Sequence, residues 1–295
     1  MRKMLICVSA ALLLLAGCRG EPDVPPRRAP APSPVAVQES MGLAPATVVP
    51  TACPDIVPAQ QPAGTPLTIV AVGDSITHAC RWQVEYSRLL ATAGVPHRIV
   101  TYAVSATDCT YWTGRIGQVL SQTQPDVAVL YCGTGDKPDE QCYGEPCTAW
   151  AYRFLVEAIH GSRPAAPPLI VHTVIGVSDP MLAPMDMWND SEPRTIDIMW
   201  SQMLRYPTDW YAGVVPVDRM PATATYLDGE GCDPSVSVCG IHPNEHGYVT
   251  IGRLMYDGTQ ARMGWPLATA LGEPVLCGMS GHRRGYPRPS YVPCP

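Results

Sequence analysis

Apolar and polar positions alternate in blocks along the middle of the chain. Short apolar runs predict five buried strands, over 67–72, 98–104, 126–131, 169–174 and 213–217. Segments with apolar residues at helical spacing predict helices over 79–93, 111–123, 148–160, 193–205 and 244–262. Strands that alternate with helices indicate a parallel sheet covered on both faces. We therefore predict an α/β fold with three α/β/α layers around a central, mostly parallel five-stranded sheet.

The composition changes on either side of this alternating region, which spans 67–265. Residues 18–66 are rich in Pro and Ala and contain few large apolar side chains. Such a segment cannot bury enough apolar surface to offset the entropy cost of ordering, so we predict an extended tether. Its end near Cys53 is a candidate for attachment to the domain. Residues 266–295 contain two cysteines and several Pro and Gly, and they predict an irregular tail held by disulfides.

The first 17 residues have the pattern of a signal peptide. Arg2 and Lys3 precede an apolar stretch over 5–16 that is too short to span a bilayer comfortably. The stretch ends in Leu-Ala-Gly-Cys18, which resembles the lipobox of bacterial lipoproteins. That resemblance implies that Cys18 is acylated and becomes the first residue of the mature protein. We expect a lipid-anchored protein of the bacterial cell envelope, outside the cytoplasm; an ordinary secretory signal is the alternative.

Charge narrows the range of partners. The net charge is −6 and no run of Lys or Arg is present, so nucleic acid is not an expected partner.

Hydrophobic residues make up 46% of the chain and charged residues only 16%, which provides enough apolar material for a sizeable core. Removal of the signal peptide, which contains two basic residues and no acid, would leave 18 basic and 26 acidic residues and a net charge of −8.

Cysteine content agrees with export. Of the 12 cysteines, Cys7 lies in the signal peptide and Cys18 would carry the lipid. The remaining ten are an even number, which is typical of disulfides in an exported chain. Close spacing favours the pairs Cys142–Cys147, Cys232–Cys239 and Cys80–Cys109. A structural zinc site needs two closely spaced cysteine pairs, and only Cys142–Cys147 comes near that spacing, so no metal is expected.

Two motifs contain the candidate catalytic residues. Gly-Asp-Ser-Ile-Thr at Gly73–Thr77 follows the first predicted strand directly. A serine at a strand-to-helix turn is held in the open, where its oxygen can attack an acyl carbon. The second motif, Ile241–Tyr248, places His242 just before a proline that can occupy the first position of a helix. Serine is a weak nucleophile without a base, and His242 is the candidate base. The alternative is that Ser75 is only the N-cap of the next helix.

With serine first, histidine last and alternating strands and helices between them, the stretch from Leu67 to Gly264 resembles the SGNH (GDSL-type) hydrolase family. The resemblance implies the fold of that family, a carboxylic ester substrate, Ser75 as nucleophile and His242 as base. It gives Asp74 a structural role. For His78, beside the turn, we expect a structural role, with a place in the pocket as the alternative.

Two of the family's oxyanion positions differ here. The family uses the serine N–H, a glycine after strand two and the asparagine of a Gly-x-Asn-Asp block after strand three. Ala106 stands at the glycine position and retains a backbone N–H, so Ser75 and Ala106 are the expected oxyanion donors. Gly135 stands where the asparagine would be, and the loss of one oxyanion donor typically costs about 10²–10³ in rate.

The acid that orients the histidine is also displaced. In the family it lies three residues before the histidine, and Cys239 occupies that position here. We expect Asp233 to replace it, because a Cys232–Cys239 disulfide would fold Asp233 back near His242. Asp228 and a backbone carbonyl are the alternatives.

A second pattern overlaps the histidine motif. The stretch from His242 to His246 formally matches the H-x-x-E-H zinc motif, which requires both histidines on one face of an established helix. Pro243 at the first helical position would leave His242 outside the helix, so we expect no metal and no cofactor.

The resemblance and the export signals together predict an extracytoplasmic serine esterase that acts on O-acyl glycans or lipid esters, as a monomer. The changes at Gly135 and Cys239 motivate the alternative of a catalytically impaired binding module of the envelope. An acyltransferase that uses the same serine is a further alternative.

Overall fold

Five parallel strands form the centre of the molecule. The computed structural model describes residues 50–174, 191–219 and 241–266. In chain order the strands are β1 (Leu67–Gly73), β2 (His97–Ala103), β3 (Val127–Tyr131), β4 (Gln141–Cys142), β5 (Glu145–Pro146), β6 (Leu169–Val174) and β7 (Tyr211–Pro216). The central sheet has the order β2-β1-β3-β6-β7, and each neighbouring pair is parallel. β4 and β5 form a separate antiparallel hairpin.

Helices cover both faces of this sheet. They are α1 (Ser75–His78), α2 (Trp82–Thr92), α3 (Cys109–Thr113), α4 (Ile116–Thr123), α5 (Cys147–Gly161), α6 (Ser191–Met203) and α7 (Glu245–Met263). α2 and α7 pack together on one face, while α3, α4 and α6 pack against α5 on the other. The predicted three-layer α/β/α fold is confirmed, and the sheet is entirely parallel rather than mostly so. None of the helices in the described ranges is long and apolar enough to cross a membrane.

Burial of the sheet on both faces explains the apolar runs. Every residue of β3 is buried, and so are the last five residues of β1, because helices pack on both sides of these central strands. α7 approaches β7 so closely that a Cβ on Gly213 would lie 1.9 Å from the carbonyl oxygen of Gly258. This close approach of the two backbones packs the C-terminal half of α7 directly on β7.

Two predicted helices are each accompanied by a short helix that was not predicted. The predicted segment 79–93 corresponds to α2, and the short helix α1 precedes it outside the predicted bounds; between them Cys80 has a left-handed φ of 60°. The predicted segment 111–123 is replaced by α3 and α4, which are separated at Gly114. The short helices form because Asp74 and Asp108 cap them: the side chain of Asp108, for example, accepts a hydrogen bond from the Tyr111 N–H at 2.8 Å.

Residues just before the domain lie along the free edge of β2. Ile56 and Ile99 form an antiparallel bridge with two hydrogen bonds of 3.0 Å. The side chain of Gln61 bonds to the backbone of His97, and a disulfide joins Cys53 to Cys80. The end of the predicted tether is therefore attached to the domain, and it covers a strand edge that would otherwise offer unpaired backbone groups.

Three disulfides lie within the described ranges: Cys53–Cys80, Cys109–Cys132 and Cys142–Cys147. The predicted pair Cys142–Cys147 is confirmed. The predicted pair Cys80–Cys109 is wrong, because Cys80 precedes α2 on one face of the sheet, whereas Cys109 begins α3 on the other face. The predicted pair Cys232–Cys239 and the predicted lipidation site Cys18 lie outside the described residues.

Candidate active site

The two sequence motifs meet in one cleft at the carboxyl ends of the central strands. Ser75 follows β1, Ala106 follows β2, Gly135 follows β3, and His242 precedes α7. All four line a cleft of about 440 Å³. The chain crosses from β2 on one side of β1 to β3 on the other, and ligands of parallel α/β sheets bind at such a reversal.

The turn that presents Ser75 depends on its two preceding residues. A Cβ on Gly73 would lie 2.2 Å from the carbonyl oxygen of Tyr131, so only glycine fits at this position. Asp74 is buried and caps α1, accepting a hydrogen bond from the Ile76 N–H at 3.0 Å. Its second oxygen accepts from the Thr134 N–H at 3.3 Å. Asp74 therefore holds the turn, as expected, and ties it to the loop after β3.

His242 lies within hydrogen-bond distance of the serine. Its Nε2 atom is 2.8 Å from the Oγ atom of Ser75. α7 begins at Glu245, with Asn244 as its N-cap, so His242 lies outside the helix, as expected. Pro243 was predicted at the first helical position; that prediction is wrong, because Asn244 caps the helix and accepts from the Gly247 N–H at 3.0 Å. Burial lowers the pKa of His242, so its ring is neutral at pH 7 and Nε2 can accept the serine proton.

Ala106 adopts the backbone conformation that usually requires glycine. Its φ is +58°, in the left-handed region, where a Cβ costs roughly 1–2 kcal/mol. The residue is exposed and lines the cleft with Ser75, so the structure brings the two expected oxyanion donors to the same place. The strain at Ala106 explains why a glycine is usual here and shows that alanine is accommodated.

Gly135 lies where the loops after β2 and β3 approach each other. A Cβ at this position would be 3.2 Å from the carbonyl oxygen of Thr107, which is tighter than an ordinary contact. An asparagine side chain would require one loop to move. Glycine at position 135 therefore removes an oxyanion donor and also lets the loops after β2 and β3 lie closer together than they could with an asparagine there.

The same two loops are joined below the cleft by contacts that the sequence analysis did not predict. The disulfide Cys109–Cys132 connects the start of α3 to the end of β3. Asp136 is buried and accepts a hydrogen bond from the Cys109 N–H at 2.7 Å. Asp136 therefore fixes the loop after β3 to the helix that follows Ala106. The signal that could have revealed this connection is the position of a cysteine within three residues of Ala106 and of another within three residues of Gly135.

The two buried aspartates make stability depend on pH. Burial raises the pKa of Asp74 to about 6 and that of Asp136 to about 7, from an ordinary value of 3.8. As the pH rises from about 4 to about 7, the unfolded chain loses these protons before the folded protein does. The free energy of unfolding contributed by both groups is therefore highest below the ordinary pKa and is lost as the pH rises through the folded values.

Replacement of Asp136 with asparagine should flatten this dependence. Asp136→Asn retains an oxygen that can accept from Cys109 but cannot ionise. Between about pH 4 and about pH 8 it should lose less stability than the wild type, by on the order of 3 kcal/mol. Urea titration at the two pH values measures the difference. Asp139→Asn, an exposed carboxylate on the same loop, should behave like the wild type. Equal slopes for wild type and Asp136→Asn would contradict the assignment.

The other candidate residues have different outcomes. Asp233 and Asp228 lie outside the described residues. His246 is exposed on the first turn of α7, whereas His242 faces Ser75. Within 50–174, 191–219 and 241–266, no group of three or more His, Cys, Asp or Glu side chains is arranged to hold a metal ion. His78, which was expected to be structural, lines the cleft.

Comparison with known proteins agrees with this geometry. Residues 71–249 match the model of the GDSL-like lipase/acylhydrolase family. Because the match covers more than half of the chain, the protein belongs to this family of hydrolases, and the resemblance seen in the sequence is confirmed. A comparison with curated proteins finds no match.

Solved structures that are similar to this chain have low sequence identity to it. A lipase/acylhydrolase from Enterococcus faecalis is 16% identical, with 68% of this chain and 97% of that chain covered and a TM-score of 0.50. A family 3 carbohydrate esterase from Clostridium thermocellum is 17% identical, with coverages of 68% and 98% and a TM-score of 0.49. An acetyl xylan esterase from Geobacillus stearothermophilus is 14% identical, with coverages of 69% and 97% and a TM-score of 0.49. At 16% identity the likeness to the Enterococcus faecalis structure is evidence for the fold alone.

Proposed function

We propose that the protein is an extracytoplasmic carboxylic ester hydrolase with a Ser-His centre formed by Ser75 and His242. The observation that carries the proposal is the 2.8 Å distance between Ser75 Oγ and His242 Nε2 at the carboxyl end of β1. A serine and a base within hydrogen-bond reach form the minimum arrangement for covalent acyl transfer. Membership of a lipase/acylhydrolase family supports the same reaction class.

The reaction follows from the positions of these groups. Nε2 of His242 takes the hydroxyl proton of Ser75 while Oγ attacks the ester carbonyl carbon. The carbonyl oxygen becomes an oxyanion, which accepts hydrogen bonds from the N–H groups of Ser75 and Ala106. His242 then donates its proton to the departing alcohol as the carbon–oxygen bond breaks and an acyl-serine remains. A water molecule, deprotonated by His242, hydrolyses the acyl-serine and restores the serine.

The glycine at position 135 limits the rate of this reaction. Two backbone donors remain where the family has a third, from an asparagine, and the loss of one donor typically costs about 10²–10³ in rate. We therefore expect a slow esterase, with acyl transfer intact.

The substrate and the location are proposed from the sequence. The lipobox at Cys18 and the disulfides support export and a lipid anchor in the bacterial cell envelope, since disulfides persist in oxidising compartments. O-acyl groups on glycans and lipid esters are the ester classes present in that location. Mass spectrometry of the purified protein should find an acylated N-terminal peptide at Cys18. An unmodified mature N-terminus at another residue would contradict the anchor.

We propose Asp233 as the acid that orients His242, because Cys239 stands where the family has its acid. Asp233→Asn should lower kcat by on the order of 10⁴, the effect of removing a triad aspartate. It should also move the acid limb of the pH profile to lower pH, since a carboxylate beside the ring raises the pKa of His242. Asp228→Asn is the matched control. A change in kcat below about threefold, with an unmoved pH profile, would remove Asp233 from the site.

A binding module without catalysis is the second candidate, favoured by the changes at Gly135 and Cys239. A fluorophosphonate probe separates the two, because it reacts with an activated serine whatever the natural ester is. Labelling of the oxidised wild-type protein, together with hydrolysis of p-nitrophenyl acetate, supports the esterase. Absence of both supports the binding module.

A further inference from the structure

His78 lies close to the nucleophile on the same short helix. It is the last residue of α1 and follows Ser75 by three positions. Residues three apart in a helix lie on the same face, with Cβ atoms about 5–6 Å apart. His78 is exposed and lines the cleft together with Ser75 and Ala106. Its ring is therefore next to the position of the reacting ester.

The hydrogen bond of His78 determines which ring nitrogen bears the proton. Nδ1 lies 2.9 Å from the carbonyl oxygen of Ala103, at the end of β2. A carbonyl oxygen can only accept, so Nδ1 must donate, and the neutral ring has no proton on Nε2. Nε2 is therefore a hydrogen-bond acceptor, and among the described residues it has no protein partner.

Several other polar groups of the cleft already have partners. Nε2 of His242 is bonded to Ser75, and the carboxylate of Asp74 accepts from backbone groups inside the turn. The hydroxyl of Thr107 donates to the carbonyl oxygen of Val104. The Nε2 atom of His78 thus adds an acceptor to a region where the oxyanion groups are donors, and an acceptor selects for a donor on the substrate.

We propose that His78 is a specificity-determining residue whose Nε2 atom accepts a hydrogen bond from a substrate hydroxyl close to the ester, either on the carbon attached to the acyl carbonyl or on the carbon next to the one that bears the ester oxygen. The proposal rests on the esterase function proposed above and narrows its substrate class to hydroxylated esters. The hydroxyl has two chemical sources. It belongs either to the alcohol, as in a partly acylated sugar or other polyol, or to the acyl group, as in a 2-hydroxyacyl ester.

Two pairs of esters distinguish these sources. The alcohol pair is 2-hydroxyethyl acetate and 2-methoxyethyl acetate. The acyl pair is methyl lactate and methyl 2-methoxypropionate. In each pair methylation removes the donor and leaves the ester in place. The wild-type protein should hydrolyse the hydroxylated member of one pair with a kcat/KM about three- to tenfold higher, the size of one neutral hydrogen bond. The pair that shows the preference identifies the source.

Two variants test the role of the ring. His78→Asn retains an N–H that can donate to Ala103 but removes the acceptor at the position of Nε2. His78→Phe removes both groups and retains a ring. In both variants the kcat/KM of the hydroxylated ester should be about equal to that of its methoxy partner. The ratio is measured within each variant, so the amount of folded protein does not affect it. If His78 only anchors the turn, His78→Asn should keep the wild-type preference.

The outcomes separate this inference from the proposed function. Hydrolysis of p-nitrophenyl acetate and fluorophosphonate labelling report on the esterase itself. If both occur but the wild type shows no preference in either pair, or if both variants keep its preference, the role of His78 is overturned and the esterase stands. If neither occurs, the esterase and the inference fail together.

Discussion

Ser75→Ala should abolish ester hydrolysis and fluorophosphonate labelling. The loss of kcat should be on the order of 10⁶, because removal of the nucleophile leaves only binding and oxyanion stabilisation. The fold should persist, since Asp74 and not Ser75 caps α1 and holds the turn. Hydrolysis of p-nitrophenyl acetate, with a far-ultraviolet circular dichroism spectrum of each protein, measures both expectations.

Ser105→Ala is the matched control for this experiment. Ser105 is an exposed serine that lines the same cleft after β2, without a histidine partner among the described residues. Its replacement should leave fluorophosphonate labelling intact. If Ser75→Ala were still labelled while Ser105→Ala was not, the nucleophile would be Ser105.

His242→Ala should cause a loss of comparable size, on the order of 10⁶ in kcat, because the serine then has no base. Free imidazole should restore part of the activity by entering the space that the side chain vacates. The wild-type pH profile provides a second readout. Burial lowers the pKa of His242, and the base form is the neutral one. Activity should therefore fall with decreasing pH, and in Asp233→Asn, where burial acts without the proposed carboxylate, the midpoint of kcat/KM should lie below the reference value of about 6.5.

His246→Ala is the control for the histidine. It removes an exposed imidazole from the same motif, four residues further along the chain, and should leave kcat and the pH profile unchanged. A similar loss in both variants would contradict the assignment of His242 as the base. Imidazole rescue of His242→Ala alone would support it.

Most of the fold was predictable from the sequence, because a strand that is buried on both faces of a sheet consists of a continuous run of apolar residues. β6 was predicted with the bounds that the structure has, and the other four strands of the central sheet within two residues. Helix α1 and the break between α3 and α4 were missed, because the short helices α1 and α3 depend on the side-chain caps Asp74 and Asp108. The β4–β5 hairpin was missed as well, since strands of two residues have no periodicity to detect.

The site was predictable where it depends on local chain geometry and not where it depends on distant contacts. Ser75 and His242 were recognised from their motifs, and the structure places them in one cleft. The disulfide Cys109–Cys132 and the Asp136 contact were missed, because they join residues on different strands. The same reason explains the error for Cys80, whose partner lies upstream in the segment along β2.

The disulfide between Cys53 and Cys80 also determines how the domain bears mechanical load. It closes a covalent loop that contains β1 and Ser75. A pull on the chain before Cys53, resisted by the chain after Cys80, travels through the sulfur–sulfur bond. Residues 54–79 lie outside that covalent path while the bond is intact. The turn that holds the nucleophile is therefore not part of the covalent connection that bears a pull from the N-terminal side of the domain.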